Sequence, residues 1–222
     1  MKKYILSSLF LLAVSTGFAQ SEKMVKAMEA KVAAIDTTRN PAALVELANT
    51  FERIAEAEKT QWLPYYYAAL AQINSGYMGM NGANAMKGGL TAVVDPIADR
   101  AEVLLNKAEA LSKDNSEIYV VKKMIAGLRM MGDPMNRYMT FGSQAAEALE
   151  TAKKLNKENP RIYYLEGQDK FYTPEQFGGS KAEAKKLFEL ALQKFETFKP
   201  ENSIAPNWGR GNTQYFLSLA SK

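Results

Sequence analysis

The side chains with most chemistry to offer are aromatic and cationic, and they recur along the chain. Trp62 precedes the run Tyr65-Tyr66-Tyr67, while Tyr119 and the pair Tyr163-Tyr164 stand farther on at matching points. Flat faces with hydroxyl tips suit peptides or sugars. The competing account is packing, with one ring filling one gap per structural unit. On a helix, three consecutive tyrosines point in three directions, so at least one of Tyr65, Tyr66 and Tyr67 is expected at the surface. Arg129 and Arg137 flank the turn Gly132-Asp133-Pro134. There two guanidinium groups could clamp a carboxylate or phosphate, or simply pair with acids of their own surface.

Much chemistry is absent by composition. The 222 residues include no His and no Cys. This excludes Ser-His-Asp and Cys-His nucleophilic catalysis, thiol redox chemistry and ordinary zinc sites. Acid pairs such as Glu147 and Glu150, or Glu56 and Glu58, have basic neighbours and read as surface charge. The Gly-rich stretch 76–89 lacks Gly-Lys-Ser/Thr and follows no strand, so it is not a phosphate loop. Met78, Met80 and Met86 within it offer an adaptable apolar lid or an ordinary loop, and three Met alone make a thin case for a soft metal. No catalysis, metal site or cofactor is expected.

The elements that must position these residues are helices. Ile97, Ala101, Leu104, Leu105, Ala108 and Leu111 share one helical face, and Ala184, Leu187, Phe188, Ala191, Leu192 and Phe195 share another. Period-two alternation is missing throughout, which predicts an all-α fold. Four of the eight prolines follow Asn or Asp, at Asn40-Pro41, Asp95-Pro96, Asp133-Pro134 and Asn159-Pro160, the signature of an N-cap and first helical position. Ser180 with Glu183 forms a capping box after the turn Gly178-Gly179, and Thr173 with Gln176 suggests another start. About nine helices follow, near 22–36, 41–59, 62–75, 95–112, 116–131, 134–156, 160–172, 180–197 and 207–220.

The helices repeat. At an offset of 44, Ala101, Leu105, Ala108, Leu111 and Asn115 fall on Ala145, Leu149, Ala152, Leu155 and Asn159. At 39, Leu149 and Ala152 continue onto Phe188 and Ala191, and at 53 Ala48 and Ala55 match Ala101 and Ala108. Each unit reads small-x-x-x-Leu-x-x-Ala-x-x-Leu, then a short turn, then a helix opening with aromatics. This pattern resembles the tetratricopeptide repeat over residues 41–220, with units longer than the usual length of about 34 residues. The resemblance implies antiparallel helix pairs stacked as a right-handed solenoid with an aromatic-lined concave face. The turn Phe177-Gly178-Gly179 is similar to one in exported tetratricopeptide-like proteins, and Trp208 is expected to seal the end of the stack.

The first 19 residues read as a cleavable leader. Lys2 and Lys3 precede an apolar run from Ile5 to Val14, and Gly17-Phe18-Ala19 is a small-x-small cleavage signal. Loss of two Lys from 28 basic residues, against 24 acidic ones, lowers the net charge from +4 to +2 and removes any case for nucleic acid. A lipid-anchor Cys is lacking, so the mature chain from residue 20 is expected to be one periplasmic or secreted domain carrying a Gly/Met/Asn-rich insert near 76–94. The function this implies is binding of a protein or peptide partner in the cell envelope. Trp62, Tyr65, Tyr66, Tyr119, Tyr163, Arg129 and Arg137 are the candidate contacts. The alternative is a small-molecule module for a carbohydrate or organic acid, associated with a transporter.

Overall fold

The computed structural model describes residues 22–80 and 89–222; the expected leader and the middle of the Gly/Met/Asn-rich insert lie outside them. The fold is all-α. Nine helices of eleven or more residues occur among the described residues, with no strand. They are α1 (22–32), continued by the short α2 (Ala34–Thr37), then α3 (Pro41–Glu58), α4 (Trp62–Gly79), α5 (Thr91–Leu111) and α6 (Ser116–Gly132). After the single turn α7 (Pro134–Arg137) come α8 (Ser143–Leu155), α9 (Pro160–Tyr172), α10 (Lys181–Thr197) and α11 (Arg210–Ala220).

Capping chemistry sets several starts. Asn40, Asp133, Asn159 and Ser180 accept backbone N–H bonds from Ala43, Asn136, Arg161 and Glu183. Asp95-Pro96 is different: α5 begins a turn earlier, at Thr91, and carries Pro96 inside. The expected helix 134–156 is interrupted by a π-helical turn at Tyr138–Gly142, and 207–209 precede α11 rather than open it. Thr173 closes α9, with only the 3-10 turn Glu175–Phe177 after it.

Sequential helices pack on one another from α3 to α6. Beyond that, α8 packs mainly on α6 and α9 mainly on α10, so the regular pairing of a repeat array loosens between α8 and α9. The core is centred on α4, whose residues from Leu63 to Ala71 are buried without a break. A helix apolar all round must be enclosed on every side. Here α3, α5 and the irregular strap 198–209 enclose it. In the strap, Ile204 accepts a bond from the Tyr67 hydroxyl at 3.0 Å, Trp208 donates to the Tyr66 oxygen at 2.7 Å, and Ser203 donates to Glu29 at 2.7 Å. The strap thus ties the end of the chain to its beginning and to its middle.

This enclosure overturns the expectation that one of the three tyrosines is exposed. Tyr65 is bonded to Glu56 on α3 and covered by Lys107 from α5. Tyr66 faces Glu117 and Trp208, and Tyr67 stacks on Phe51 at 5.2 Å. Three directions meet three walls, and all three rings are buried. Trp208 is correspondingly an inserted plug, packed on Tyr66 and 5.2 Å from the Arg161 guanidinium, rather than a cap on the end of a stack.

Candidate functional site

The structure sorts the seven sequence candidates into two groups. Trp62 lies half-buried against Tyr66, with ring centroids 5.4 Å apart, and Tyr65 and Tyr66 are buried as described. Tyr163 is buried, donates to the Lys157 carbonyl at 2.8 Å, and carries Lys153 and Lys194 over its ring. These four hold helices together. Tyr119 and Arg129, three turns apart on α6, line one groove of about 260 Å³ between α5, α6 and α8. Arg137 stands beside it.

Neither arginine is free to clamp an anion. Arg137 grips Asp95 with both Nη atoms, at 2.6 and 2.8 Å, and Arg129 donates to Asp99 at 2.6 Å and Glu102 at 2.9 Å. The bond from Arg137 holds the Asp95 carboxyl below the usual carboxylate range. Burial works against charge on Arg129, but its bonds to Glu102 and Asp99 outweigh that and keep the guanidinium firmly charged. Both guanidinium groups also lie over the Phe141 ring, at 5.9 and 5.5 Å. The carboxylates expected of a ligand are already supplied by α5.

Under the strap lies a buried charge cluster. Arg161, with no exposed surface, donates through Nη1 to Glu117 at 2.9 Å, and Glu117 also accepts from Asn159 and the Tyr66 hydroxyl. Burial pushes the Glu117 carboxyl up against the opposing pull of Arg161. Burial likewise raises Asp36, which accepts the Gly209 N–H. Arg161 is packed among Phe195, Phe198 and Trp208, which fits cation–π stabilisation of a charge removed from water. Among the described residues no three acidic side chains gather as a metal-binding group.

The sequence reading passed over another surface. Only Tyr138, Tyr172, Phe177 and Tyr215 are exposed aromatics among the described residues, and two of them, Tyr172 and Tyr215, meet on one ring. Tyr172 ends α9 and Tyr215 rides on α11. Each meets Phe216 nearly at right angles, 77° and 76°, with centroids at 5.8 and 5.5 Å. Phe216 is itself seated on Phe171 and Phe188, so two outward phenols flank a firmly packed base. Burial and the neighbouring Tyr215 push the Tyr172 hydroxyl up. The Lys181 ammonium lies 5.9 Å from the Phe171 ring.

The turn between α9 and α10 is built to present Phe177, 70% exposed. Gly178 has φ 91°, and a Cβ on Gly179 would fall 1.6 Å from the Thr173 carbonyl oxygen. Both positions therefore require glycine. The signal available in the sequence was this Gly-Gly pair, together with aromatics standing outside the repeating core positions.

No protein-family model matches the chain, and no curated protein matches it. Among solved structures it is similar to the HusA haemophore from Porphyromonas gingivalis, with a TM-score of 0.75 and 33% sequence identity over 88% of this chain and 92% of that one. No helix among the described residues is long and apolar enough to cross a membrane. With one third of its residues identical over nearly the whole of both chains, this protein belongs to the same family as the HusA haemophore.

Proposed function

We propose that this protein binds haem or a closely related tetrapyrrole on the aromatic face formed by Tyr172, Tyr215 and Phe216, with the exposed Phe177 on the turn that follows α9. The observation that carries the reading is that Tyr172 and Tyr215, two of the four exposed aromatic side chains among the described residues, meet on Phe216, in a relative of a haemophore. A flat macrocycle buries two large apolar faces, and aromatic walls on a rigid base suit it. Lys181 supplies a cation for a peripheral carboxylate. His and Cys, two common axial donors to haem iron, are absent from the chain, so the phenols and the macrocycle's own surface carry recognition.

This small-molecule reading displaces the peptide-binding one. Of the tyrosines meant to line a partner groove, Tyr65, Tyr66 and Tyr163 are buried by the chain's own packing, and the relative is named for carrying haem. Binding, not catalysis, is the role it supports. With the leader expected at residues 1–19, capture takes place in the periplasm or outside the cell.

The test is titration of haemin into wild type and Tyr172→Ala/Tyr215→Ala, followed by Soret absorbance and Trp quenching. Two lost aromatic contacts of about 0.5–1.5 kcal/mol each predict roughly 5- to 150-fold weaker binding. Unchanged affinity in a variant that melts like wild type would remove this surface from consideration. Metal-free protoporphyrin in parallel separates recognition of the ring, which leaves the two affinities alike, from coordination of iron by a phenol, which favours haemin.

A further inference from the structure

The groove between α5, α6 and α8 has no part in the tetrapyrrole reading, and its lining is of a different kind. Stripes at helical spacing meet there: Glu102 and Asn106 from α5, Tyr119 and Arg129 from α6, Gln144 and Glu147 from α8. The floor is apolar, made by Leu105, Ile125, Ala126 and Ala148, and the two alanines, both buried, let the groove sink between the helices.

Charge does not single out an ionic ligand. Arg129 is held by Asp99 and Glu102, and Lys122, lying 4.7 Å from the centre of the Tyr119 ring, is held by Glu109 at 2.6 Å. The side chains of Asn106, Gln144 and Glu147 make no hydrogen bond to other described residues, leaving amide donors and acceptors and one carboxylate on the rim. All three walls are helices whose backbone groups are satisfied internally, so an extended peptide main chain finds no partner. The volume of about 260 Å³ lies below the range of about 300–1,000 Å³ that encloses a drug-sized molecule, which limits the occupant to a single ring.

We infer that this groove is a second small-molecule site, for a neutral, hydroxyl-rich ring of the monosaccharide class. Hydroxyls at the edge of such a ring bond to Asn106, Gln144 and Glu147, while its C–H face lies on the Ala126–Ala148 floor and the Tyr119 ring. The inference stands apart from tetrapyrrole binding.

The experiment is a ¹H–¹⁵N correlation titration of the mature chain with D-glucose and N-acetylglucosamine, and with gluconate as an anionic comparator, up to about 50 mM, enough to saturate a site with Kd of about 1 mM. A neutral sugar should give saturable shifts confined to α5, α6 and α8. Gln144→Ala, an exposed position that leaves the fold intact, should weaken binding several-fold. Ala148→Leu, which fills the floor, should abolish it, and Tyr172→Ala/Tyr215→Ala should leave it unchanged. No saturable shift with either neutral sugar, shifts centred elsewhere, or binding of gluconate alone would overturn the inference.

Discussion

Trp208→Ala tests the claim that the strap is part of the core. The indole is 6% exposed, contacts Arg161, and donates its N–H to Tyr66, whose own hydroxyl passes a bond on to Glu117. Truncation of a buried aromatic to Ala costs about 3–5 kcal/mol from lost transfer energy and cavity formation. That is a large share of a total stability of about 5–15 kcal/mol. For a chain of this size each kcal/mol moves the midpoint by about 2–4 °C, so a drop of about 6–20 °C is expected. Trp208→Phe keeps most of the ring and loses the N–H bond, which should cost about 1–2 kcal/mol. Far-UV circular dichroism melts give both numbers. A Trp208→Ala midpoint within about 3 °C of wild type would show that the strap is not seated as described.

Three further outcomes are expected. Glu117→Gln should flatten the pH dependence of urea unfolding above the ordinary carboxyl value of 4.5. The folded-state pKa of Glu117 is raised, so the native protein holds its proton longer than the unfolded chain, and wild-type stability falls as pH rises from the ordinary value of 4.5 through the raised one. A pH slope in the variant as steep as in wild type, or steeper, would contradict this. Gly167→Ala places a Cβ 2.5 Å from the Phe188 ring, so an overpacking cost of about 1–3 kcal/mol should exceed a helix-propensity gain of about 1 kcal/mol, and net stabilisation in a denaturant titration would mean the ring yields freely. Gly179→Ala should lose more than about 1 kcal/mol and weaken haemin binding, because the Thr173 carbonyl forces the turn carrying Phe177 to reshape.

Local chemistry was legible in the sequence and enclosure was not. Asn40, Asp133, Asn159 and Ser180 cap helices because the rules involved span only three or four residues. Asp95-Pro96 misled, since the segment before it, from Thr91, continues the helix despite the proline. The fate of Tyr66 and Tyr67 depended on a segment more than 130 residues away, and the strap 198–209 has no periodicity to announce that it folds back over α4. Likewise Arg129 and Arg137 were recognisable as a pair, but their partners Asp95, Asp99 and Glu102 were not assigned to them, because the pairing is set by how α5 lies along α6 and α7.

The strap and the proposed tetrapyrrole surface are connected through α11. This helix brings Tyr215 and Phe216 to the aromatic face, and its entrance is fixed by Trp208 against Tyr66, by the Gly209 N–H on Asp36 and by Thr213 bonded back to the Gly209 carbonyl. Phe216 then docks on Phe171 and Phe188. If loosening the strap lets α11 leave its place part of the time, the apparent dissociation constant rises by the inverse of the seated fraction. Trp208→Phe, mild enough to remain folded, should therefore weaken haemin binding without touching any residue of the surface. It should leave sugar shifts in the α5–α6–α8 groove unaltered, because the strap's bonds to Tyr67, Tyr66 and Glu29 involve no residue that lines that groove. Equal losses at both sites would point to general softening of the fold instead of a latch acting on α11.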